Sequence, residues 1–171
     1  MSISSQAINA ASTAVSITRM TEHDLLEVVE IEENSGLSRW GWAAYYAELQ
    51  GGNRNLMLVA RVANSKQQQR SHSLAGYIVA RMGAGELHIN NVAVREIYRR
   101  RGIGRSLLDS ILGEGKRSGV CCAFLELRAG NQAALTLYEK CGFRVTARRE
   151  RYYTEPVEDA LVMSIQLLPK A

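Results

Sequence analysis

The stretch His88–Leu108, HINNVAVREIYRRRGIGRSLL, runs from an apolar strand through a basic turn with two glycines into a helix. It constrains the fold more than any other part of the chain. A second apolar run, Val120–Leu127 (VCCAFLEL), follows the helix and reads as a strand buried on both faces. Strand, helix and strand in this order make a right-handed crossover between parallel strands. Within the first strand the apolar parity changes: Leu87 and Ile89 are odd-numbered, Val92 and Val94 even-numbered. A strand of strict period two does not switch faces midway, so one extra residue at Asn90 or Asn91, a β-bulge, is expected. The plainer alternative is a strand that ends near Asn90.

The remaining elements follow from pattern. Val15–Met20, Leu56–Val62 and Leu74–Met82 read as strands, and the last two form an antiparallel meander with the strand that starts at Glu86. Asn64–Ser73 (NSKQQQRSHS) reads as a solvated hairpin connector. Thr21 and Asp24 form a capping-box pattern before a helix with Leu25, Leu26, Val29 and Ile31 inward and Glu22, Asp24, Glu27 and Glu30 on an acidic outer face. A second helix covers Trp42–Leu49. After the glycine turn, Ile103, Leu107, Leu108, Ile111 and Leu112 mark one helical face, with Gly113 and Gly115 weakening its last turns. Asn131 caps a further helix, which Gly142 and Phe143 close as a Schellman motif. Two last strands, Phe143–Arg149 and Ala160–Leu167, flank a loop containing RYYTEP. The fold class is therefore α/β (α+β): a mixed sheet of about seven strands with a bulged fourth strand and helices on both faces. Residues 1–14 read as a flexible tail without the marks of a secretory signal, and 15–171 as a single domain.

The net charge of +4 favours anionic partners without naming one. Cys121, Cys122 and Cys141 have neither disulfide nor metal-ligand spacing and read as reduced core residues of a cytoplasmic protein. No apolar run approaches the roughly 20 residues that span a bilayer, and no metal or membrane partner is expected.

The turn Arg99-Arg100-Arg101-Gly102-Ile103-Gly104-Arg105 offers free helix N–H groups, glycines that admit close approach, and forked guanidinium donors, the chemistry of a phosphate site. It lacks the P-loop pattern, and Leu107 stands where a dinucleotide fingerprint has its third glycine. A basic surface turn before an ordinary helix is the alternative.

Arg99-x-x-Gly102-x-Gly104, placed after Val92-Ala93-Val94, resembles the Gln/Arg-x-x-Gly-x-Gly/Ala motif of the GCN5-related N-acetyltransferases, the GNAT family. The likeness runs from about Val15 to Leu167. It implies that residues 99–105 hold the pyrophosphate of acetyl-CoA, while the bulged strand at Val92, Ala93 and Val94 takes the pantetheine arm and thioester. The block Leu125–Phe143, LELRAGNQAALTLYEKCGF, is similar to the RimI subfamily, whose members acetylate the N-terminal alanine of a small-subunit ribosomal protein. By that resemblance Glu126 is the general base, Tyr138 the general acid and Asn131 a cofactor contact.

The chemistry suits those residue types. An α-amine with a reference pKa of about 8 must lose a proton before it attacks, and a thiolate leaving group benefits from a phenol that donates. The alternatives are an edge glutamate or an ion pair with Arg128 for Glu126, and a core aromatic for Tyr138. His88 reads as a half-buried structural residue. A backbone N–H near Val92 is expected to hold the oxyanion. Leu37–Trp42 and Arg151–Asp159 are expected to wall the acceptor pocket, with Trp40, Tyr152 and Tyr153 touching substrate. Arg39 stands where RimI-like sequences often have a proline. The expected partners are acetyl-CoA and a protein N-terminus, with the enzyme a monomer. Two readings compete: a lysine or small-amine acetyltransferase on the same fold, and an RNA- or ribosome-binding module, which the lack of aromatics among the turn arginines disfavours.

Overall fold

The computed structural model describes residues 14–63 and 73–167. Most of the expected tail, and the polar connector save Ser73, lie outside the described residues. Seven strands form one sheet: β1 (Val15–Arg19), β2 (Asn55–Val62), β3 (Leu74–Gly83), β4 (Glu86–Val94), β5 (Cys122–Arg128), β6 (Arg144–Thr154) and β7 (Val157–Gln166). Their order is β1-β2-β3-β4-β5-β7-β6, antiparallel throughout except for the parallel pair β4–β5. The helices are α1 (Leu25–Glu33), α2 (Gly41–Gln50), α3 (Ile103–Arg117) and α4 (Gln132–Lys140).

Each face of the sheet carries its own core. Leu56, Leu58, Ile78, Leu87 and Ile89 pack with Leu107, Leu108 and Ile111 of α3 and with Tyr138 of α4. The alternate residues Met57, Val59, Tyr77 and Val79 pack with Leu25, Val28 and Ile31 of α1 and with Tyr45 of α2. This is the period-two alternation of a sheet covered on both sides.

The bulge is where the parity switch predicts it. Val79 pairs with Asn91 and Ala80 with Ile89, so Asn90 is the extra residue. Leu87 and Ile89 face the α3 core, and beyond the bulge Val92 and Val94 take that face while Ala93 turns to the other. The Schellman close of α4 is also present: Phe143 N donates to Tyr138 O and Gly142 N to Glu139 O, both at 3.0 Å.

Several sequence expectations need correction. Leu26 is 78% exposed, and the inward line of α1 is Leu25, Val28, Ile31 and Glu32. A 3-10 turn, Glu22–Asp24, precedes α1 and turns Asp24 inward onto Arg61, with two bonds of 2.8 Å. The acidic face is therefore partly internal: Glu27 and Glu30 both bind Arg95. Gly115 also has a packing role. The helix runs to Arg117, and a Cβ at Gly115 would stand 3.3 Å from Leu87, so the glycine lets α3 lie close on β4. β5 is fully buried on one face only, through Ala123, Leu125 and Leu127, and Cys121 is exposed while Cys122 and Cys141 are half-buried. RYYT belongs to β6 rather than to a loop.

Candidate active site

The parallel pairing of β4 and β5 stops early. It covers Glu86–Ile89 against Cys122–Leu125 and ends at the bulge. Beyond it Asn91–Val94 pair only with β3, and Glu126–Arg128 only with β7. Two strand edges therefore face each other unpaired across a gap, and backbone polar groups there need partners from outside the sheet. An extended, amide-bearing chain is the kind of ligand such a gap accepts.

Below the gap, α3 begins. Gly102 is its N-cap at φ +80, and nothing stands within 4 Å of where a Cβ would lie. The first N–H groups of the helix have no intrahelical acceptor, and the helix dipole favours an anion there. The four arginines of the turn do different things. Arg99 Nε donates to Val94 O at 2.9 Å and ties the turn to the end of β4. Arg101 lies over the Tyr98 ring at 5.6 Å, and Arg105 stands 3.7 Å from Asp109. Arg100 is exposed, at φ +59, and makes no hydrogen bond or ion pair among the described residues. A Cβ at Gly104 would meet Leu137 of α4 at 3.1 Å, so this glycine also lets α3 pack close on α4. Unpaired strand edges leading to a helix N-terminus with an open glycine and spare guanidinium groups fit a pantetheine arm and a pyrophosphate.

Glu126 stands where the gap opens. The buried face of β5 is Ala123, Leu125 and Leu127, so Glu126 projects to the opposite face, the side of α1 and α2. Its side chain is 11% exposed. His88 Nε2 lies 2.7 Å from Glu126 Oε2, and Arg149 reaches Oε1 at 3.5 Å. His88 is the cross-strand neighbour of Phe124 and stacks on it at 4.5 Å, which fixes the imidazole plane. Arg128 is not the partner of Glu126. It binds Glu158 and the carbonyls of Glu155 and Pro156, and covers the Tyr153 ring at 4.2 Å. A sequence reading weighs i,i+2 neighbours on one strand, whereas His88 and Arg149 come from other strands. Their signal was only that both are basic and lie in strand segments.

Tyr138 comes from the α4 side. Its ring is 8% exposed and meets Phe143 edge-on at 5.9 Å. Its hydroxyl makes no hydrogen bond among the described residues, yet no buried polar atom there lacks a partner, so the oxygen keeps some contact with solvent. Burial, with smaller contributions from Tyr153 and Cys141, pushes the phenol well above the ordinary tyrosine value. It therefore stays protonated and able to donate. Tyr153 is raised too, by burial first, and lies within electrostatic reach of Glu126 and of Tyr138. Tyr152 stacks edge-on against Tyr153 and is 46% exposed, with Arg149 over its ring at 5.3 Å. Asn131 caps α4 by accepting from Ala134 N at 3.1 Å, which commits its side-chain oxygen. Trp40 belongs to a separate part of the site, the start of α2, where it packs on Tyr45 at 5.4 Å.

Tyr153 thus lies within electrostatic reach of both Glu126 and Tyr138, and the turn 99–105 is tied to the end of β4. Residues 25–143 match the acetyltransferase (GNAT) family. The [ribosomal protein bS18]-alanine N-acetyltransferase of Escherichia coli strain K12 is 35% identical over 103 residues, 59% of this chain and 70% of that protein. The N-alpha-acetyltransferase RimI of Mycobacterium tuberculosis is 33% identical over 162 residues, 91% of this chain and 95% of that protein. The crystal structure of the ribosomal-protein-S18-alanine N-acetyltransferase from Escherichia coli superposes with a TM-score of 0.78 at 28% identity, covering 92% of this chain and 97% of that one. A family match over most of its length, on a sheet that opens at a bulge above a basic helix N-terminus, means that the chain belongs to the acetyltransferase (GNAT) family.

Proposed function

We propose that the chain transfers an acetyl group from acetyl-CoA to the α-amine of a protein N-terminus, and that its acceptor, like that of the relatives named for it, is the N-terminal alanine of ribosomal protein bS18. Acetyltransferases of this family take the group from acetyl-CoA, whose thioester supplies an activated acyl carbon. The observation that carries the reading is the gap between β4 and β5, with Glu126 on one face of the sheet and Tyr138 on the other. A donor held in the gap meets its acceptor from the α1–α2 side and its leaving-group acid from the α4 side.

In this reading Val92, Ala93 and Val94 hold the pantetheine arm through their backbone, and an N–H near Val92 holds the carbonyl oxygen as it gains charge. Residues 99–105 hold the pyrophosphate, Arg100 and Arg101 supplying charge while Arg99 fixes the turn. Asn131 contacts the cofactor through its amide nitrogen, its oxygen being the helix cap. Glu126 takes the proton from the incoming ammonium, directly or through a water, which frees the nitrogen lone pair for attack. His88, at 2.7 Å, keeps the carboxylate aimed and offers the proton a way out to solvent. The Tyr138 hydroxyl donates to the sulfur as its bond to carbon breaks. Burial keeps this phenol protonated, and the negative charge that develops on the sulfur strengthens the hydrogen bond it receives. Trp40, Tyr152 and Tyr153 form the walls that the first residues of the acceptor touch. The enzyme works as a cytoplasmic monomer with no need of a metal.

The test is CoA release with three acceptors: an Ala-initiated peptide with a free α-amine, the same peptide blocked at its N-terminus and carrying an internal lysine, and small amines. Turnover with the first alone is expected. Turnover confined to the other two would replace the α-amine by a lysine or small-amine acceptor.

A further inference from the structure

Glu32, near the end of α1, is 1% exposed. Its Oε1 accepts from the backbone N–H of Trp40 at 2.8 Å and from the Tyr45 hydroxyl at 2.7 Å, and its Oε2 accepts from the backbone N–H of Gly41 at 3.0 Å. Those two N–H groups open α2, whose N-cap position is Trp40, a side chain that cannot cap. The cap comes instead from a carboxylate eight and nine residues upstream. The Tyr45 hydroxyl gives its one proton to Glu32, so its lone pairs accept from Asn91 Nδ2 at 2.9 Å and from the Tyr77 hydroxyl at 2.7 Å. Tyr45 and Tyr77 are fully buried and Asn91 is 7% exposed. Asn91 is the residue after the bulge. A continuous buried chain of hydrogen bonds therefore joins the first turn of α2 to the place where β4 leaves β5.

We propose that Glu32 is a positioning residue for acetyl transfer: through Tyr45 and Asn91 it locks the segment Leu37–Trp42 in register with the bulge of β4, so that the acceptor wall and the thioester strand keep one fixed spacing. The inference rests on the reading of that segment as an acceptor wall. Packing alone does not explain this arrangement. Burying a carboxylate costs several kcal/mol of desolvation, and apolar side chains would join α1 to α2 without it. What an apolar contact cannot do is fix two backbone N–H groups and a hydroxyl to hydrogen-bond tolerance, and spacing errors of about 1 Å cost on the order of 100-fold in rate. The phenols also suit a fixed device rather than a switch. Burial first, then Tyr77 and Glu32, pushes Tyr45 well above the ordinary tyrosine value; burial first, with Glu32 and against the bond from Tyr45, raises Tyr77, so neither loses its proton in the working pH range.

The experiment compares Glu32→Ala, Glu32→Gln and Tyr45→Phe with the parent chain. Three quantities are read: kcat/KM for the acceptor peptide, Kd for acetyl-CoA, and hydrogen exchange of the Trp40 and Gly41 amides in the folded protein. Glu32→Ala should lower the peptide kcat/KM roughly 10- to 100-fold, with Kd for acetyl-CoA within about 2-fold and both amides exchanging faster. Glu32→Gln, which keeps one carbonyl oxygen, should fall between Ala and the parent. Tyr45→Phe keeps the ring and guards against a variant that does not fold. Lower melting temperatures with unchanged peptide kcat/KM and unchanged amide exchange would overturn the proposal and leave Glu32 a structural residue. If the parent chain acetylates no α-amine, the functional reading fails by itself, and the exchange of the two amides still decides whether the lock exists.

Discussion

Replacing Tyr138 by Phe separates chemistry from packing at one atom. The ring is 8% exposed and packed edge-on against Phe143, while the hydroxyl has no hydrogen-bond partner among the described residues. Phe keeps the packing and removes only the oxygen, so no internal hydrogen bond is lost. The stability change should stay within about 1 kcal/mol, or roughly 2–4 °C in Tm for a chain of this size. Turnover should fall much further. A positioned acid contributes on the order of 100-fold or more, equivalent to about 2.7 kcal/mol of barrier. Tyr138→Ala provides the contrast, because loss of the buried ring should cost about 3–5 kcal/mol and lower Tm by roughly 6–20 °C. The assay is initial-rate CoA release beside a thermal melt and a titration with acetyl-CoA. A Phe variant with unchanged kcat would remove the hydroxyl from the mechanism. One that loses kcat only in proportion to a large fall in Tm would make Tyr138 a core aromatic.

Glu126→Gln, read by the same assays, should lower kcat by on the order of 100-fold and leave Kd for acetyl-CoA within about 2-fold, and His88→Ala should lower kcat less than Glu126→Gln does. Gly102→Ala forces a side chain into φ +80 at an open helix N-terminus; titration should show acetyl-CoA binding weakened by about 10-fold, with a modest loss of stability. Acid unfolding should draw on Asp24 and Glu27. Burial pushes both carboxyls up, but the bonds from Arg61 and Thr21 to Asp24, and from Ser73, Leu74 and Arg95 to Glu27, outweigh it and hold them below their ordinary values of 3.8 and 4.5. Carboxyls depressed in the folded state contribute fully above those values, and the contribution is lost as pH falls through the lower folded ones. Melts against pH should therefore be flat in these groups from neutrality down to about 4.5 and fall below it, with a shallower fall in Asp24→Asn.

How much of this was legible in the sequence depended on whether the signal was local. The bulge was legible, because one extra residue shifts apolar parity along a single strand, and Leu87, Ile89, Val92 and Val94 carried that shift. The α4 cap and its Schellman close were legible for the same reason: both are fixed by side chains within a few residues. Leu26 was misread because a 3-10 turn precedes α1, and a helical wheel started upstream loses phase across it. The partners of Glu126 were not legible. A strand offers Arg128 as a neighbour on the same face, but the fold spends Arg128 on Glu158 and Tyr153 and brings His88 and Arg149 from adjoining parts of the sheet. Cys121 and Cys122 were placed too deep because a continuous apolar run normally means a strand covered on both faces, whereas β5 is fully buried on one face only. The Glu32 lock was the least legible, since residues bonded within it lie up to 46 positions apart in sequence. Its one trace was a helix, α2, whose N-cap position holds a tryptophan that cannot cap.

The central claim is that acetyl-CoA lies along the gap between β4 and β5 and ends on the first turn of α3. Backbone hydrogen exchange with and without acetyl-CoA tests it most directly. Slowed exchange is predicted at residues 91–94 and 102–105, with none around the separate groove lined by Arg19, Asn53, Arg117 and Ser118. Protection confined to that groove, with 91–94 and 102–105 unchanged, would contradict the account.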